Sequence, residues 1–358
     1  MTRITSLLGA LALAVLLGAA GPPAFRSDIA KGPTPWTHTR FDDAPGDFAF
    51  AVVSDLESGY RPGVFDVAAA QLELMRPAFI MTVGDMIDGG TEDVARLKQE
   101  WDDFDALAAK APAPFFHVAG NHDMTNLTQR RVWEERYGRR YYWFVYKDVL
   151  FLVLDTEDYA PERMQQIYKM RADYLAARKT DPANAFKLPY ASLIESKVGE
   201  IGPDQVAYFQ KAIADHPKVR WTIALMHKPA YNRQGPGGLA PIEAALKGRP
   251  YTILNGHLHR YSYSQLNGAD HIMLGTTGGE RSFDGSAGGM DHFMWITMTK
   301  DGPRIANLRL DGVLDKTGHV PANGESAHEI RGPGPYVRPA PSGDRCHAPW
   351  NASTESSA

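Results

Sequence analysis

The sequence has almost no cysteine. Its 358 residues include a single one, Cys346, so neither an intrachain disulfide nor a thiolate metal cluster can form. It also has no excess of positive charge, since 38 Lys and Arg against 42 Asp and Glu give a net charge of −4. Binding along a phosphate backbone needs a concentrated excess of Lys and Arg. We therefore expect no nucleic-acid-coating surface.

A hydrophobic run long enough to span a membrane is lacking as well. The apolar run at residues 7–20 follows Arg3 and is shorter than the roughly 20 residues that a spanning helix needs. Residues 1–24 are therefore predicted to be a signal peptide, which implies a periplasmic or secreted protein. Because no cysteine follows the run directly, a lipid anchor is disfavoured, and we expect no stable membrane anchor after signal cleavage.

What the sequence does have is the composition of a globular protein, with 44% hydrophobic and 22% charged residues. Apolar runs alternate with stretches of helical periodicity, which predicts an α/β fold with a largely parallel sheet. The predicted strands of this part are residues 48–53, 79–83, 115–119, 221–226 and 251–254. Two further β-rich runs, residues 141–146 and 149–154, are predicted to form a hairpin.

Other segments have different patterns. Residues 25–46 are rich in Pro, Gly and polar residues, which predicts a flexible leader. The main domain is predicted at residues 47–318, and its charged, helix-patterned segment 158–200 is interpreted as a helical insertion. After residue 260, short apolar runs between Gly and Asp turns predict a second, antiparallel sheet. Residues 319–358 are predicted to be a disordered tail.

Side chains that bind metals follow the predicted strands. Parallel strands bring their carboxyl ends to one edge of a sheet, where ligand-binding residues gather. Carboxylate, amide and imidazole ligands suit Mn, Fe or Zn, and one carboxylate can bridge two cations about 3.5–4 Å apart. The pattern therefore predicts a site for two metal ions rather than a structural zinc site. The candidate ligands are Asp55, Glu57, Asp85, Asn121, His227, His257 and His259.

These residues lie in five ordered motifs: D-x-E, G-D-x-x-D, G-N-H-D, a single H, and G-H-x-H. The set resembles that of the calcineurin-like metallophosphoesterase superfamily, over roughly residues 47–312. The resemblance implies a four-layer αββα sandwich of two mixed β-sheets flanked by helices. It implies one metal held by Asp55, Asp85 and His259, with Asp85 bridging to a second metal that is completed by Asn121, His227 and His257.

Glu57 departs from the family pattern, which usually has histidine at that position. A glutamate can still bind a metal through oxygen, and its negative charge makes the site harder. On this basis we expect Fe or Mn there rather than Zn. The departure also leaves a second function open, namely a catalytically inactive protein that keeps the fold for binding.

The leading function implied by the resemblance is hydrolysis of a small phosphate mono- or diester. Two divalent or mixed-valence metal ions would lower the pKa of a bridging water towards about 7, which gives a hydroxide in line with phosphorus. His122 follows the candidate ligand Asn121 and is predicted to be the general acid, with the Asp88 carboxylate orienting its ring.

Other polar residues near the strand ends have two interpretations. Asp123 and Asp155 are interpreted as loop-capping carboxylates rather than as metal ligands. The Gly-rich stretches 234–239 and 278–289 fit mobile lids and plain turns equally well. Three cations are candidates for contacts with substrate phosphate, or are simply solvated: Lys228, Arg260 and Arg281.

Overall fold

Two mixed β-sheets lie face to face in the computed structural model of the chain, which describes residues 25–41, 47–233, 235, 237–281, 288–310 and 312–316. The predicted signal peptide and the predicted tail lie outside these residues, as do parts of both Gly-rich stretches. Within the described part of the chain, no helix is both long enough and apolar enough to cross a membrane.

Seven strands form the first sheet. Its parallel centre is flanked on both sides by antiparallel strands. In spatial order the strands are β1 (Phe25–Ser27), β5 (Tyr142–Tyr146), β6 (Val149–Val153), β7 (Trp221–Leu225), β8 (Tyr251–Asn255), β10 (Ala269–Met273) and β9 (Ser262–Leu266). The predicted hairpin is β5 and β6, which pair antiparallel from Tyr146 opposite Val149.

Six strands form the second sheet, with a parallel part and an antiparallel part. In spatial order they are β13 (Gly312–Asp315), β12 (Gly302–Arg309), β11 (His292–Thr299), β2 (Phe48–Val53), β3 (Ile80–Thr82) and β4 (Phe115–Phe116). The parallel strands β2, β3 and β4 therefore lie in a different sheet from the parallel strands β6, β7 and β8.

This division corrects the prediction of one parallel sheet followed by a separate antiparallel sheet. The strands after residue 260 split between the two sheets: β9 and β10 extend the first, whereas β11, β12 and β13 extend the second. The physical reason is that a short apolar run indicates a strand but not its neighbour. Each of these strands finds its place through long-range backbone pairing, as β11 does with β2.

Helices cover the outer faces of both sheets. On the second sheet, α1 (Val64–Met75), α2 (Val94–Ala108) and α3 (Leu127–Tyr137) bury Phe65, Trp101 and Trp133. On the first sheet, α7 (Pro203–Asp215) and α8 (Ala240–Ala245) bury Phe209 and Ile242. Helices, sheet, sheet and helices give four layers, so the expected αββα sandwich is confirmed.

Aromatic rings fill the space between the two sheets. Phe50 stacks on Phe79 at 5.1 Å within the second sheet, and Phe144 stacks on Phe151 at 4.5 Å within the first. Phe79 meets Phe151 edge to face at 5.4 Å across the interface. Such buried aromatic contacts combine large apolar area with defined geometry. They fix how the edges of the two sheets lie against each other.

The segment predicted to be a helical insertion consists of one long helix, two short helices and a 3₁₀ turn. They are α4 (Pro161–Thr180), α5 (Pro182–Ala185), α6 (Pro189–Ser192) and a 3₁₀ turn at Ile194–Ser196. A proline begins each of the three α-helices, at the position where its missing N–H costs nothing. Met164 and Ile167 of α4 are buried against Tyr159.

The N-terminal segment differs from the predicted flexible leader. Phe25–Ser27 pairs with β5 as an edge strand, and Trp36 is only 7% exposed. The ring of Trp36 lies 5.6 Å from that of Phe116, and Phe41 lies 4.5 Å from Tyr146. Residues 25–41 are ordered because their few aromatic residues enter the core between the sheets, which the overall polar composition conceals. Residues 42–46 of the predicted leader lie outside the described residues.

We expect Trp36→Ala to lower the free energy of unfolding by about 3–5 kcal/mol, the usual effect of removing a large buried ring. Urea unfolding followed by fluorescence measures this. Lys31→Ala, at an exposed position of the same segment, is the control and should change stability by less than about 0.5 kcal/mol. Equal stabilities of the two variants would mean that the segment is not part of the core.

Candidate metal centre

The candidate ligands come from strand ends of both sheets. Asp55 and Asp85 follow β2 and β3 of the second sheet, and Asn121 lies beyond β4. His227 and His257 follow β7 and β8 of the first sheet. The two groups meet because the carboxyl ends of both parallel parts lie at the same edge of the sandwich. The sequence predicted a shared edge, but within one sheet rather than between two.

The loops that carry these side chains have unusual backbone geometry. Asp55, Asp85 and His257 have positive φ angles of 31°, 61° and 82°. Non-glycine residues in this region store strain, which the surrounding structure must hold in place. Gly120 permits the close approach of two loops, since a Cβ there would lie 2.2 Å from the Asp85 carboxylate.

Hydrogen bonds define which nitrogen of His227 faces the site. Its Nδ1 donates to the Val83 carbonyl at 2.8 Å, so Nε2 presents a lone pair. That Nε2 lies 3.1 Å from Asp85 Oδ2 and 3.2 Å from Asn121 Oδ1. Three acceptor atoms therefore point at one another.

His257 adds a fourth acceptor to this group. Its Nε2 donates to the carbonyl of Ser196 at 3.0 Å, which leaves the lone pair on Nδ1. Nδ1 lies 3.2 Å from Nε2 of His227. The side chains of Asp85, His227 and His257 place their ligand atoms within 4.8 Å of one another.

A second group shares Asp85. His259 donates from Nδ1 to the Glu280 carbonyl, and its Nε2 lies 3.4 Å from Asp55 Oδ1. The ligand atoms of Asp55, Asp85 and His259 also lie within 4.8 Å of one another. Asp55 is held by the Ser54 hydroxyl and by the backbone N–H of His257 at 3.1 Å.

The donor sets of both groups fit cations. Buried lone pairs that face one another repel unless a positive charge lies between them. A proton on His227 relieves part of this repulsion. Burial lowers the pKa of His227, but the Asp85 carboxylate outweighs it and raises the pKa to about 9. In turn, His227 and His122 outweigh burial and hold the pKa of Asp85 well below its usual range. Two groups joined by one carboxylate suit two metal ions.

Asp123 holds the loop of Asp85 in place. Its carboxylate accepts hydrogen bonds from the backbone N–H groups of Asp85, Met86, Ile87 and Gly120, at 2.8–3.2 Å. Burial, with the nearby charge of Asp85, nevertheless raises the pKa of Asp123 to about 7. This geometry is that of a loop-capping carboxylate, as the sequence pattern suggested, and Asp123 supports the ligands without belonging to either group.

His122 lies beside the cluster, but its predicted contact with the Asp88 carboxylate is not present. The backbone N–H of His122 donates to Asp85 Oδ1 at 2.8 Å, and its Nδ1 donates to the backbone carbonyl of Asp88 at 2.8 Å. The carboxylate of Asp88 turns outward and pairs with Arg96 at 2.6 Å. Near the negative charge of Asp85 a second carboxylate is repelled. The Asp88 carboxylate is therefore more stable beside the exposed Arg96 than beside His122.

Arg171 is a site residue that the sequence did not reveal. It belongs to α4, and its Nη2 lies 3.1 Å from Nε2 of His122. Because a guanidinium only donates, Nε2 accepts and the imidazole is neutral. Burial lowers the pKa of His122, and the charge of Arg171 lowers it further against the attraction of Asp85. On a charged helix, nothing local distinguishes Arg171 from its solvated neighbours.

Glu57 lies outside both groups of ligands. Its side chain lines a neighbouring cavity of about 440 Å³ together with Tyr60, Met86 and Glu100. Burial, followed by the charges of Asp88 and Glu100, raises the pKa of Glu57 to about 8. The structure thus gives the predicted ligand a different environment from that of the aspartates and histidines.

Lys228, a candidate for phosphate binding, is buried instead. Its Nζ pairs with Glu157 at 2.7 Å and donates to the Glu195 carbonyl at 2.8 Å. Its charge is therefore neutralised within the protein. Asp155 accepts from the backbone N–H of Glu157 at 2.8 Å, which is a loop-capping contact, and pairs with Arg140.

Comparison with known proteins places this site in a family. The model of the family described as calcineurin-like phosphoesterase matches residues 48–261 of the 358. The chain belongs to the calcineurin-like phosphoesterase family. This confirms the resemblance drawn from the motifs. The family depends on two metal ions, and the two Asp and His groups are where this member could bind them.

The chain is similar to solved structures of phosphatases. A dimetal phosphatase from Danio rerio is similar with a TM-score of 0.51 and 14% identity, over 75% of this chain and 98% of that one. A purple acid phosphatase from seeds of yellow lupin, Lupinus luteus, has a TM-score of 0.47 and 13% identity, over 78% of this chain and 52% of that one. At such identities the likeness to the first protein shows the fold alone. No curated protein matches the chain significantly in sequence.

We expect added Mn²⁺ to raise the melting temperature of the protein, since a metal at 100 times its dissociation constant adds about 2.7 kcal/mol. Asp85→Asn should abolish most of this shift and lower the metal content, because both groups lose their shared charge. Glu57→Gln should retain the wild-type metal content, measured by elemental analysis after dialysis. Loss of metal in Glu57→Gln would make Glu57 a ligand, and unchanged binding in Asp85→Asn would contradict the two-group site.

Proposed function

We propose that the protein is an exported, metal-dependent hydrolase of small phosphate mono- or diesters. The observation that carries the proposal is the pair of acceptor groups joined at Asp85. Membership of the phosphoesterase family supports a hydrolase of phosphoric esters. The aspartates and histidines that converge at Asp85, with Asn121 beside them, favour an active enzyme over a binding protein that merely keeps the fold.

Two divalent ions bound there would lower the pKa of a shared water towards about 7 and neutralise phosphoryl charge. The chain's own contribution is to hold the ligands rigidly. Asp123 fixes the loop of Asp85 through backbone N–H groups, and the carbonyls of Val83 and Ser196 fix the rings of His227 and His257. Such supporting contacts set the tautomer and direction of metal-binding histidines.

His122 is the residue best placed to protonate a leaving group. It is 9% exposed, its backbone is bonded to Asp85, and its Nδ1 is held by the Asp88 carbonyl. Its Nε2 accepts from Arg171 in this structure, so it can donate a proton only after Arg171 has left it and the ring has taken up a proton from solvent. In this role the carbonyl of Asp88, rather than its carboxylate, orients the ring.

Export is the remaining part of the proposal. It rests on the pattern of residues 1–24, a charged start followed by a short apolar run. The scarcity of cysteine agrees with a periplasmic or secreted location, since an oxidising compartment poses no risk of mispairing.

The function is tested by hydrolysis of p-nitrophenyl phosphate and bis-p-nitrophenyl phosphate with Mn²⁺. We expect turnover that chelation abolishes and that Asp85→Asn lowers by roughly 10³-fold, because several kcal/mol of charge stabilisation depend on the metals. Asp215→Asn, on the exposed face of α7, is the control and should behave as wild type. Activity that survives complete chelation would rule out metal-dependent hydrolysis.

The role of His122 is tested by changing the leaving group. For an alkyl phosphate, whose leaving group must be protonated, His122→Asn should lower kcat by about 10²–10⁴-fold. For p-nitrophenyl phosphate the loss should be much smaller, because p-nitrophenolate leaves without a proton. His38→Asn, far along the chain in the N-terminal segment, serves as the control. Equal losses on both substrates would remove His122 as the proton donor.

A further inference from the structure

Arg171 contacts His122, which lies beside the metal-ligand cluster. Among the described residues, no carboxylate lies within ion-pair distance of its guanidinium, whose hydrogen bond goes to the neutral ring of His122. Arg163, on the same helix, is by contrast paired with Glu195 at 2.6 Å. An arginine whose charge is left uncompensated beside a buried site is poised to bind an anion.

The surroundings of Arg171 leave room for its guanidinium at the site. Gly90 follows the loop of Asp85 and Asp88, and a Cβ on it would lie 2.8 Å from Arg171 Nη1. A larger residue at position 90 would therefore push the guanidinium away. His122, the partner of Arg171, is itself bonded through its backbone to the shared ligand Asp85 at 2.8 Å. The guanidinium is thus one side chain away from the cluster.

We propose that Arg171 binds the phosphoryl group of the substrate and that its charge selects phosphate monoesters over diesters. This inference rests on the proposed function, because it assigns a substrate class to the same site. In the absence of substrate the guanidinium rests on His122, and a phosphoryl oxygen is a stronger partner than a neutral imidazole.

The preference for monoesters follows from charge and from the number of terminal oxygens. A phosphate monoester carries a charge of about −1.5 to −2 near neutral pH and three terminal oxygens that accept strong hydrogen bonds. In a diester one of these oxygens is esterified, so both the charge and the number of acceptors are lower. A fixed guanidinium beside the cluster therefore adds more binding energy for a monoester.

A purely structural role for Arg171 makes a different prediction. If its guanidinium only held the ring of His122, its removal would change turnover but not the affinity of the site for phosphate. Binding of inorganic phosphate to the Mn²⁺-loaded protein, measured by titration calorimetry, separates the two roles without relying on catalysis.

We expect Arg171→Gln to weaken phosphate binding by about ten- to a hundredfold, the loss typical of a charged hydrogen-bonded contact. Arg178→Gln removes the same charge from the same helix, where Arg178 lies over the ring of Tyr174, and should leave the affinity within about twofold. Arg171→Lys keeps the charge without the planar fork and should fall between them. Equal phosphate affinities of wild type and Arg171→Gln would overturn the proposal.

The selectivity is tested with the two aryl esters. Arg171→Gln should lower kcat/KM for p-nitrophenyl phosphate by about ten- to a hundredfold and that for bis-p-nitrophenyl phosphate by less than about threefold. Equal losses on both esters would overturn the selection of monoesters. If the wild type hydrolyses neither ester while phosphate binding still depends on Arg171, the proposed function fails and the anion contact stands. Melting temperatures identify any misfolded variant, in which case Arg171→Lys carries the comparison.

Discussion

The site depends on one constraint: acceptor atoms that repel one another are held together at Asp85. Its carboxylate faces Nε2 of His227 at 3.1 Å in one group and is shared with the second group of Asp55 and His259. Such an arrangement is costly in the folded protein unless protons or metal cations lie between the acceptor atoms. The chain maintains this arrangement through the positive φ angles of its loops and through hydrogen bonds from backbone N–H groups to the Asp123 carboxylate. The aromatic packing between the sheets supplies the rigid support.

The sequence predicted the local features of this fold well. The strand Phe48–Val53 was placed correctly, and its apolar run is followed by the candidate ligand Asp55. These features are readable because they depend on residues next to one another. The assignment of strands to sheets is not local, so the strands after residue 260 were placed in the wrong arrangement. The order of the N-terminal segment depends on Trp36 entering a core built by distant residues, and composition cannot show this.

The candidate site shows the same limit at the level of single side chains. Sequence order singled out the aspartates and histidines that the structure brings close together. It could not determine whether the carboxylate or the carbonyl of Asp88 contacts His122. That choice is made by the competing attraction of Arg96. Arg171 is 49 positions from His122 and lies on a charged helix, so only the three-dimensional contact distinguishes it. Glu57 was assigned by its position in a motif, whereas its side chain lines the adjacent cavity.

The order in which the strands enter the second sheet has a consequence for folding. β2, which presents Asp55, pairs with β11, so Val52 lies opposite Met294 near the other end of the domain. Contacts between such distant parts of the chain form slowly, because the loop between them must close before the pairing contributes stability. The group of Asp55, Asp85 and His259 would therefore be completed only after nearly the whole domain has been synthesised. Metal loading and the last steps of folding are expected to coincide.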